Sequence, residues 1–149
     1  IDNLSEKEIM GIDKSLMGGA KFRNGFEYTI PSQSLRESLF RIKDKDLERA
    51  GDVYSFYNDL KNSIKAVSEK TKIGGYHFWV VGNRTVKGEL LKTDVIITEI
   101  ADSYGLEHVY TIDRNIINKV MPSLNSPTNE SGVKAETMTN EHIVVLRKR

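Results

Sequence analysis

Apolar residues recur most regularly in the middle of the chain. From Asp46 to Lys70 they return at steps of three and four, and polar residues occupy the positions between them. This spacing places the apolar side chains on one face of a helix and predicts a long amphipathic helix that ends before Gly74-Gly75. The apolar positions are Leu47, Ala50, Val53, Tyr54, Tyr57, Leu60, Ile64 and Val67.

The next segment, Tyr76–Val81, shows a different pattern. It is almost entirely apolar, rich in β-branched and aromatic residues, and bounded by glycines. A strand without polar alternation is usually buried on both faces, as in a parallel sheet covered by helices. We therefore expect a central, doubly buried strand here.

The rest of this region alternates in type. A helix is predicted from Asp94 to Tyr104, with Thr93 as its N-cap, followed by a strand at Glu107–Ile112. A long polar loop then leads to a last strand at Glu141–Leu146. Alternating strands and helices predict an α/β architecture. The last strand, which no clear helix precedes, is expected to pair antiparallel at the edge of the sheet.

The first 45 residues carry weaker signals. They predict a short helix at Leu4–Met10, a turn at Gly18-Gly19 and a short strand at Phe26–Ile30. We take residues 1–45 as a lead-in segment, either a lid or a DNA-contacting region, and residues 46–149 as the domain proper.

Composition narrows the function only slightly. The 22 basic and 21 acidic side chains leave a net charge of +1, so bulk charge neither favours nor excludes a nucleic-acid partner. The absence of cysteine excludes disulfides and thiolate-bound metals and is consistent with the cytoplasm. His77, His108 and His142 do not pair at metal-ligand spacing, and no metal site is predicted.

Several segments, taken in order, resemble a known family. They are Gly74–Gly88, Arg114–Pro122, Asn125–Asn129, Thr137-Met138 and Glu141–Lys148. Together they are similar to the site-specific DNA amino-methyltransferases of restriction–modification systems, the DNA methylase N-4/N-6 family. The resemblance extends over roughly residues 46–149.

The resemblance implies an S-adenosylmethionine-dependent, Rossmann-like fold, of which this chain is the C-terminal half with a terminal antiparallel hairpin. The family binds its donor at a glycine-containing turn and holds the target amino group with a Pro-Pro-Tyr motif. Neither is recognisable here, and the chain contains no Pro-Pro pair. We therefore expect no catalytic acceptor motif in this chain, and a donor bound mainly by a missing N-terminal half or by a complementary subunit.

The first group of candidate contact residues directly follows the predicted central strand. Ligands of open α/β sheets bind at the carboxyl ends of parallel strands. Asparagine can read a base edge, and arginine or lysine can contact phosphate. This group, for which a solvated polar loop is the alternative, consists of Asn83, Arg84, Thr85 and Lys87.

The second group lies in and beside the long polar stretch from Asn115 to Asn140. A loop of this length in a compact domain is usually functional or disordered, and its composition suits phosphate contact and a wall for a flipped base. A mobile surface loop is the alternative. The predicted contacts to DNA or to the target base are Arg114, Asn115, Lys119, Asn125 and Asn129.

The sequence thus predicts part of an enzyme that methylates the exocyclic amino group of cytosine or adenine in a specific site of double-stranded DNA. The chain begins at Ile1, and we expect it to be a fragment that is inactive alone. The alternative is a truncated or split-gene product that acts as a non-catalytic DNA-binding or assembly module.

Overall fold

The computed structural model describes residues 5–19, 21–115, 124–125, 135–136 and 140–149. Helices and strands are numbered here in chain order. The helices are α1 (Glu6–Ser15), α2 (Gln33–Lys43), α3 (Leu47–Lys70) and α4 (Thr93–Asp102). The strands are β1 (Tyr76–Val81), β2 (Arg84–Val86), β3 (Glu89–Leu91), β4 (Leu106–Asn115), β5 (Leu124–Asn125), β6 (Ala135–Glu136) and β7 (Asn140–Lys148). No helix among these residues is long and apolar enough to cross a membrane.

Helix α3 confirms the strongest prediction from the sequence. Asp46 caps its N-terminus by accepting a hydrogen bond of 2.9 Å from the backbone N–H of Arg49. That bond, together with the ammonium of Lys87, holds the pKa of Asp46 below its ordinary value. The helix ends at Lys70, and the hydroxyl of its capping residue, Thr71, donates to the carbonyl of Val67.

Helix α2 was not predicted. It begins after Ser32, whose hydroxyl accepts from the N–H of Leu35 at 3.1 Å, and it buries Leu35, Leu39 and Ile42 against the same core as α3. The spacing of four and three between these apolar residues is visible in the sequence. It extends over only two turns, which is too short for a clear helix prediction. Core residues thus come from both sides of position 45, and the proposed division there stays a prediction.

The strand expected at Phe26–Ile30 is wrong, because this segment joins no strand ladder in the described part of the chain. Phe26 instead stacks on Tyr54 of α3, with ring centroids 4.3 Å apart and planes 8° from parallel. Packing against α3 therefore determines the conformation of this segment.

The main sheet has three strands in the order β1-β7-β4, and β7 is antiparallel to both neighbours. Ile143 of β7 lies opposite Val80 on one side and Ile112 on the other. The terminal antiparallel pairing is therefore confirmed, but the last strand is the middle strand and not an edge. The flanking strands β1 and β4 run parallel to each other.

The prediction that β1 is buried on both faces is wrong. Tyr76, Phe78 and Val80 are 54%, 63% and 56% exposed, whereas His77, on the opposite face, is buried. Within the described ranges, no element covers the first face and no strand pairs with the outer edge of β1. Its apolar composition therefore exceeds what the described residues bury.

The N-cap predicted for α4 is also wrong. Thr93 is the first helical residue, and the capping residue, Lys92, makes no side-chain hydrogen bond to the helix. The Thr93 hydroxyl is bonded to the hydroxyl of Tyr57 at 2.9 Å. The cap comes from the loop after β1, where the side-chain oxygen of Asn83 accepts from the backbone N–H of Asp94 at 3.4 Å.

A small hairpin, β2–β3, directly follows β1 and was not predicted. Its two turn residues, Lys87 and Gly88, have φ values of 50° and 80°. Such turns match the twist of a two-stranded hairpin. Lys87 also forms a 3.0 Å ion pair with Asp46, and Glu89 is held by Arg41 at 2.7 Å. The hairpin is thereby fixed to α2 and to the start of α3.

Candidate functional site

The carboxyl ends of β1 and β4 lie at one edge of the sheet, because the two strands run parallel on either side of β7. The first residues of β7 lie between these ends. Polar side chains from three separate parts of the sequence therefore meet there, as expected for a ligand-binding edge of an α/β sheet. They are Asn83, Asp113, Arg114, Asn115, Glu141 and His142.

Three of these side chains form a continuous hydrogen-bonded chain. His142 Nδ1 lies 2.7 Å from a carboxylate oxygen of Asp113, and its Nε2 lies 3.1 Å from the amide nitrogen of Asn83. The amide must donate to Nε2, so the ring carries its proton on Nδ1 and donates to Asp113. Sequence reasoning assigned His142 to an ordinary strand position and did not predict its contacts with these two residues.

This arrangement restricts what Asn83 can offer to a ligand. Its amide nitrogen donates to His142, and its oxygen accepts from the N–H of Asp94. One amide hydrogen and one oxygen lone pair remain. The predicted base contact of Asn83 stays a prediction, and the observed contacts show that the side chain also joins the sheet to α4.

The other residues after β1 are separated from one another by the hairpin. Arg84 and Thr85 are exposed on β2. Lys87 lies at the turn and is ion-paired with Asp46, so its charge serves to attach the hairpin to α3. The structure therefore does not gather all four residues predicted after β1 into one cluster.

The second group is only partly described. Arg114 pairs with Glu141 directly across the β4–β7 ladder, and its side chain remains 60% exposed. Asn115 is exposed and lies opposite Asn140. Asn125 is in β5 and pairs with Ala135 of β6. Lys119 and Asn129 lie outside the described residues.

A cavity of about 580 Å³ lies between the end of α1, the N-terminal half of α3 and the β2–β3 hairpin. We call it the α3 cleft. Four of its lining residues are apolar or aromatic, and we call them the apolar floor: Val53, Phe56, Tyr57 and Leu91. Met17, Gly18 and Gly19 form one wall. Charged residues complete the lining, namely Asp13, Lys14, Arg23, Arg49, Asp52 and Arg84.

The segment that follows this wall of the α3 cleft approaches α3 closely at Gly51. A Cβ atom there would lie 2.3 Å from the carbonyl oxygen of Phe22, so only glycine lets the preceding segment cross the helix at this height. Asp59 secures the crossing by accepting from the N–H of Gly18 at 3.2 Å and from the ammonium of Lys21 at 2.9 Å. The glycine inside α3 is the sequence signal for this contact.

Positive charge exceeds negative charge around the α3 cleft, with four basic and two acidic side chains. Asp52 accepts from both Arg23, at 2.9 Å, and Arg49, at 3.3 Å. Arg84 forms no salt bridge within the part of the chain that is described. The cleft therefore retains cationic groups that can bind an anion.

Tyr57 forms the inner end of the α3 cleft. Burial raises the pKa of its phenol, while the hydrogen bond to Thr93 and the positive charge of Arg84 act in the opposite direction. The phenol is neutral near pH 7, since the ordinary pKa of tyrosine is already about 10. Tyr57 therefore acts as a polar but uncharged contact.

Comparison with known proteins finds a curated relative over nearly the whole chain. The chain is 41% identical over 147 residues to the type II methyltransferase M.MvaI of Kocuria varians, and the match covers 95% of this chain and 32% of that protein. This chain is related in sequence to a type II methyltransferase. The resemblance inferred from the sequence is thereby confirmed, and the chain spans about a third of the length of this relative. No family model matches the chain.

A solved structure is also similar. It is a protein of Thermus thermophilus, described as a proposed DNA modification methylase in complex with S-adenosyl-L-methionine. The match has a TM-score of 0.46 at 20% identity and covers 65% of this chain and 38% of the other. Independently of that match, the described residues form a mixed α/β arrangement with antiparallel terminal strands, as the sequence predicted.

Proposed function

We propose that this chain is part of a DNA methyltransferase that transfers a methyl group from S-adenosylmethionine to the exocyclic amino group of cytosine or adenine in a specific duplex site. The observation that carries the proposal is the 41% identity with a type II methyltransferase over 95% of the chain. The enzyme would belong to a restriction–modification system and act in the cytoplasm.

The carboxyl edge of the sheet supports a role in contacting DNA. Arg114 extends from the end of β4 and is largely exposed despite its pairing with Glu141. Asn83 and Asn115 offer amide groups at the same edge. Side chains of these types position a duplex through its phosphates and read base edges through their amides. In methylation of an amino group, such positioning is the main contribution of the protein.

The charges of the α3 cleft do not favour the methyl donor. S-adenosylmethionine carries a sulfonium, an ammonium and a carboxylate group and is positively charged overall, and the α3 cleft has more basic than acidic side chains. Like charges at close range are unfavourable in a site of low dielectric constant. We therefore assign donor binding to other parts of the complete enzyme, in agreement with the missing glycine-containing turn.

The open face of the sheet supports a partner or a further segment of the same protein. Tyr76, Phe78 and Val80 form an apolar row on β1, and Tyr110 and Ile112 continue it on β4. Exposed apolar patches of this kind usually mark an interaction surface. The relative is about three times as long as this chain, so an additional part of the enzyme is the occupant we propose.

A methyl-transfer assay tests the function directly. The complete gene product, incubated with radiolabelled S-adenosylmethionine and duplex DNA, is expected to label DNA at one short recognition sequence. Digestion to nucleosides then identifies the methylated base. Label appearing in RNA or protein, with none in DNA, would contradict the proposal.

The 149-residue chain alone provides a second test, because it should bind S-adenosylmethionine weakly or not at all. Micromolar affinity in a calorimetric titration would show that the donor site lies within this chain. The complete enzyme, titrated under the same conditions, is the positive control.

The contacts proposed for Arg114 and Lys119 predict a salt effect. Changing both to Ala should lower the slope of log affinity against log salt by up to about two, since each phosphate contact contributes about 0.9. Sequence preference should stay the same. A control pair on an exposed part of the chain, Lys65→Ala and Lys72→Ala, should leave the slope unchanged. An unchanged slope in the Arg114 and Lys119 variant would exclude these contacts.

A further inference from the structure

We propose that the α3 cleft binds one unstacked nucleotide of a DNA strand, with Arg84 on its phosphate and the apolar floor against its base. The proposal rests on the function proposed above and goes beyond it, because it assigns a separate pocket to the nucleic acid. Of the pocket's residues, Arg84 is the one that the sequence analysis named individually as a DNA contact.

The dimensions of the cleft suit a ligand of this class. Its volume of about 580 Å³ falls within the roughly 300–1,000 Å³ that is typical of sites for small ligands. Such sites combine an apolar lining with a few polar groups that fix the orientation of the ligand. Here the lining combines apolar and charged side chains, which matches a molecule with one aromatic and one anionic end.

Arg84 is the side chain best suited to hold the phosphate. It is exposed, lies on β2 and forms no salt bridge among the residues that the structure describes. Arg23 and Arg49 share Asp52, so one carboxylate offsets part of the charge of two guanidinium groups. A planar guanidinium can bind two phosphate oxygens at once, which favours phosphate over a simple halide ion.

Phe56 is the candidate for contact with the base. It is half-buried and lines the cleft beside Val53, and its ring meets that of Tyr57 edge-on at a centroid distance of 5.1 Å. Stacking of a base on an aromatic ring contributes to binding with little dependence on sequence. Tyr57, whose hydroxyl is bonded to Thr93, adds a fixed contact behind Phe56.

The position of Arg84 connects the cleft with the carboxyl edge of the sheet. Arg84 directly follows Asn83, which is bonded to His142 at that edge. A DNA strand positioned by residues at the edge would therefore pass close to the guanidinium of Arg84. The adjacency of Asn83 and Arg84 in the chain thus places the cleft beside the proposed DNA-binding edge.

The experiment compares three variants of the complete protein, Arg84→Ala, Phe56→Leu and Lys92→Ala. Lys92 is exposed, lies just beyond the cleft-lining Leu91 and serves as the control. We expect Arg84→Ala and Phe56→Leu each to raise the KM for DNA about tenfold, in the range known for charge-assisted and stacking contacts. Lys92→Ala should change it less than about twofold, and thermal melting checks that each variant is folded.

A second measurement uses small probes on the same proteins. Deoxycytidine monophosphate should compete with DNA more strongly than either deoxycytidine or inorganic phosphate alone, and Arg84→Ala should remove the advantage of the monophosphate. If deoxycytidine monophosphate shows no advantage in the wild type, the cleft does not bind a nucleotide. The proposal is also overturned if Arg84→Ala and Lys92→Ala have equal effects.

The two proposals can fail separately. If the wild type labels DNA but Arg84→Ala and Phe56→Leu behave normally, the cleft proposal is wrong and the methyltransferase assignment stands. If the wild type methylates no DNA but binds deoxycytidine monophosphate through Arg84, the cleft proposal stands and the DNA substrate is wrong.

Discussion

The two faces of the three-stranded sheet have similar apolar composition and very different exposure. On the face that contacts the helices, Val144 and Leu146 are completely buried and His77 is nearly so. On the opposite face, Phe78 and Val80 of β1, the strand paired with β7, are more than half exposed. The difference shows that the helices of this chain complete one side of a sheet that is apolar on both sides.

Val145 is an informative exception on the open face. It is buried although no helix among the described residues covers it, because Phe78 and Tyr110 lie on either side of it in the neighbouring strands. Large neighbours on a sheet can shield a smaller central side chain. Val145, in the middle of the open face, is therefore shielded by its neighbours in β1 and β4. The apolar side chains of those two outer strands on this face remain exposed.

The covered face also contains polar groups, and those of Lys148 and Ser68 are hydrogen-bonded. The ammonium of Lys148 donates to the hydroxyl of Ser68 at 2.7 Å and to the carbonyl of Tyr104 at 2.8 Å. The Ser68 hydroxyl donates to the same carbonyl at 2.8 Å. These bonds join β7 to the end of α3 and to the turn after α4.

The largest predicted effect comes from placing the same charge on the two faces. In the 149-residue chain, Val144→Asp should destabilise the fold by several kcal/mol, because it buries an unpaired carboxylate. Val80→Asp should change the free energy of unfolding by less than about 0.5 kcal/mol, as for an exposed position. Equilibrium denaturation measures both, and equal losses would show that the open face is covered within this chain.

The same two variants can be compared in the complete enzyme, where their stabilities test whether another part of the protein covers the open face. If another part of the protein covers the open face, Val80→Asp should become strongly destabilising there, because the added charge would then be buried. A Val80→Asp enzyme with unchanged stability would argue against such a cover.

A smaller effect is expected from the polar contacts of the covered face. Ser68→Ala removes an acceptor for Lys148, which keeps its bond to Tyr104, and should cost about 1–2 kcal/mol. Thr85→Ala, at an exposed position of β2, is the control and should have almost no effect. A loss of similar size in both variants would mean that the Lys148 contacts contribute little to stability.

The smallest predicted effect is a dependence on pH that comes from His77. The Thr71 hydroxyl donates to Val67, so Nε2 of His77 donates to that hydroxyl and Nδ1 is buried without a partner among the described residues. Burial, and secondarily the charge of Lys148, lowers the pKa of His77 below its ordinary value. The unfolded chain therefore takes up a proton at a higher pH than the folded one.

The contribution of His77 to stability should thus be complete above about pH 6.5 and decrease as the pH falls towards its lower pKa in the folded state. His77→Gln should have a flatter decline in melting temperature between about pH 7.5 and 5.5 than the wild type. His108→Gln, on an exposed part of β4, is the control. If both variants retain the wild-type slope, His77 is not the group responsible.

Much of the local structure could be predicted from the sequence. The apolar spacing in α3 extends over many turns, so a single face of the helix was clear before any contact was known. The runs at Tyr76–Val81 and Glu141–Leu146 were correctly predicted as strands, since β-branched and aromatic residues fill them. The resemblance to methyltransferases also rested on the order of short segments and did not require the fold.

Other features depended on the tertiary structure. The pattern in β1 indicates two apolar faces, but it cannot show which face the helices of this chain reach. The contact between Asn83 and His142 joins residues 59 positions apart and follows from the register of β1 against β7. The α3 cleft likewise combines residues of α1, α3 and the β2–β3 hairpin, which lie far apart in the sequence. Periodicity reports the environment along one element, whereas the site is formed by contacts between elements, which only the packing of the whole chain determines.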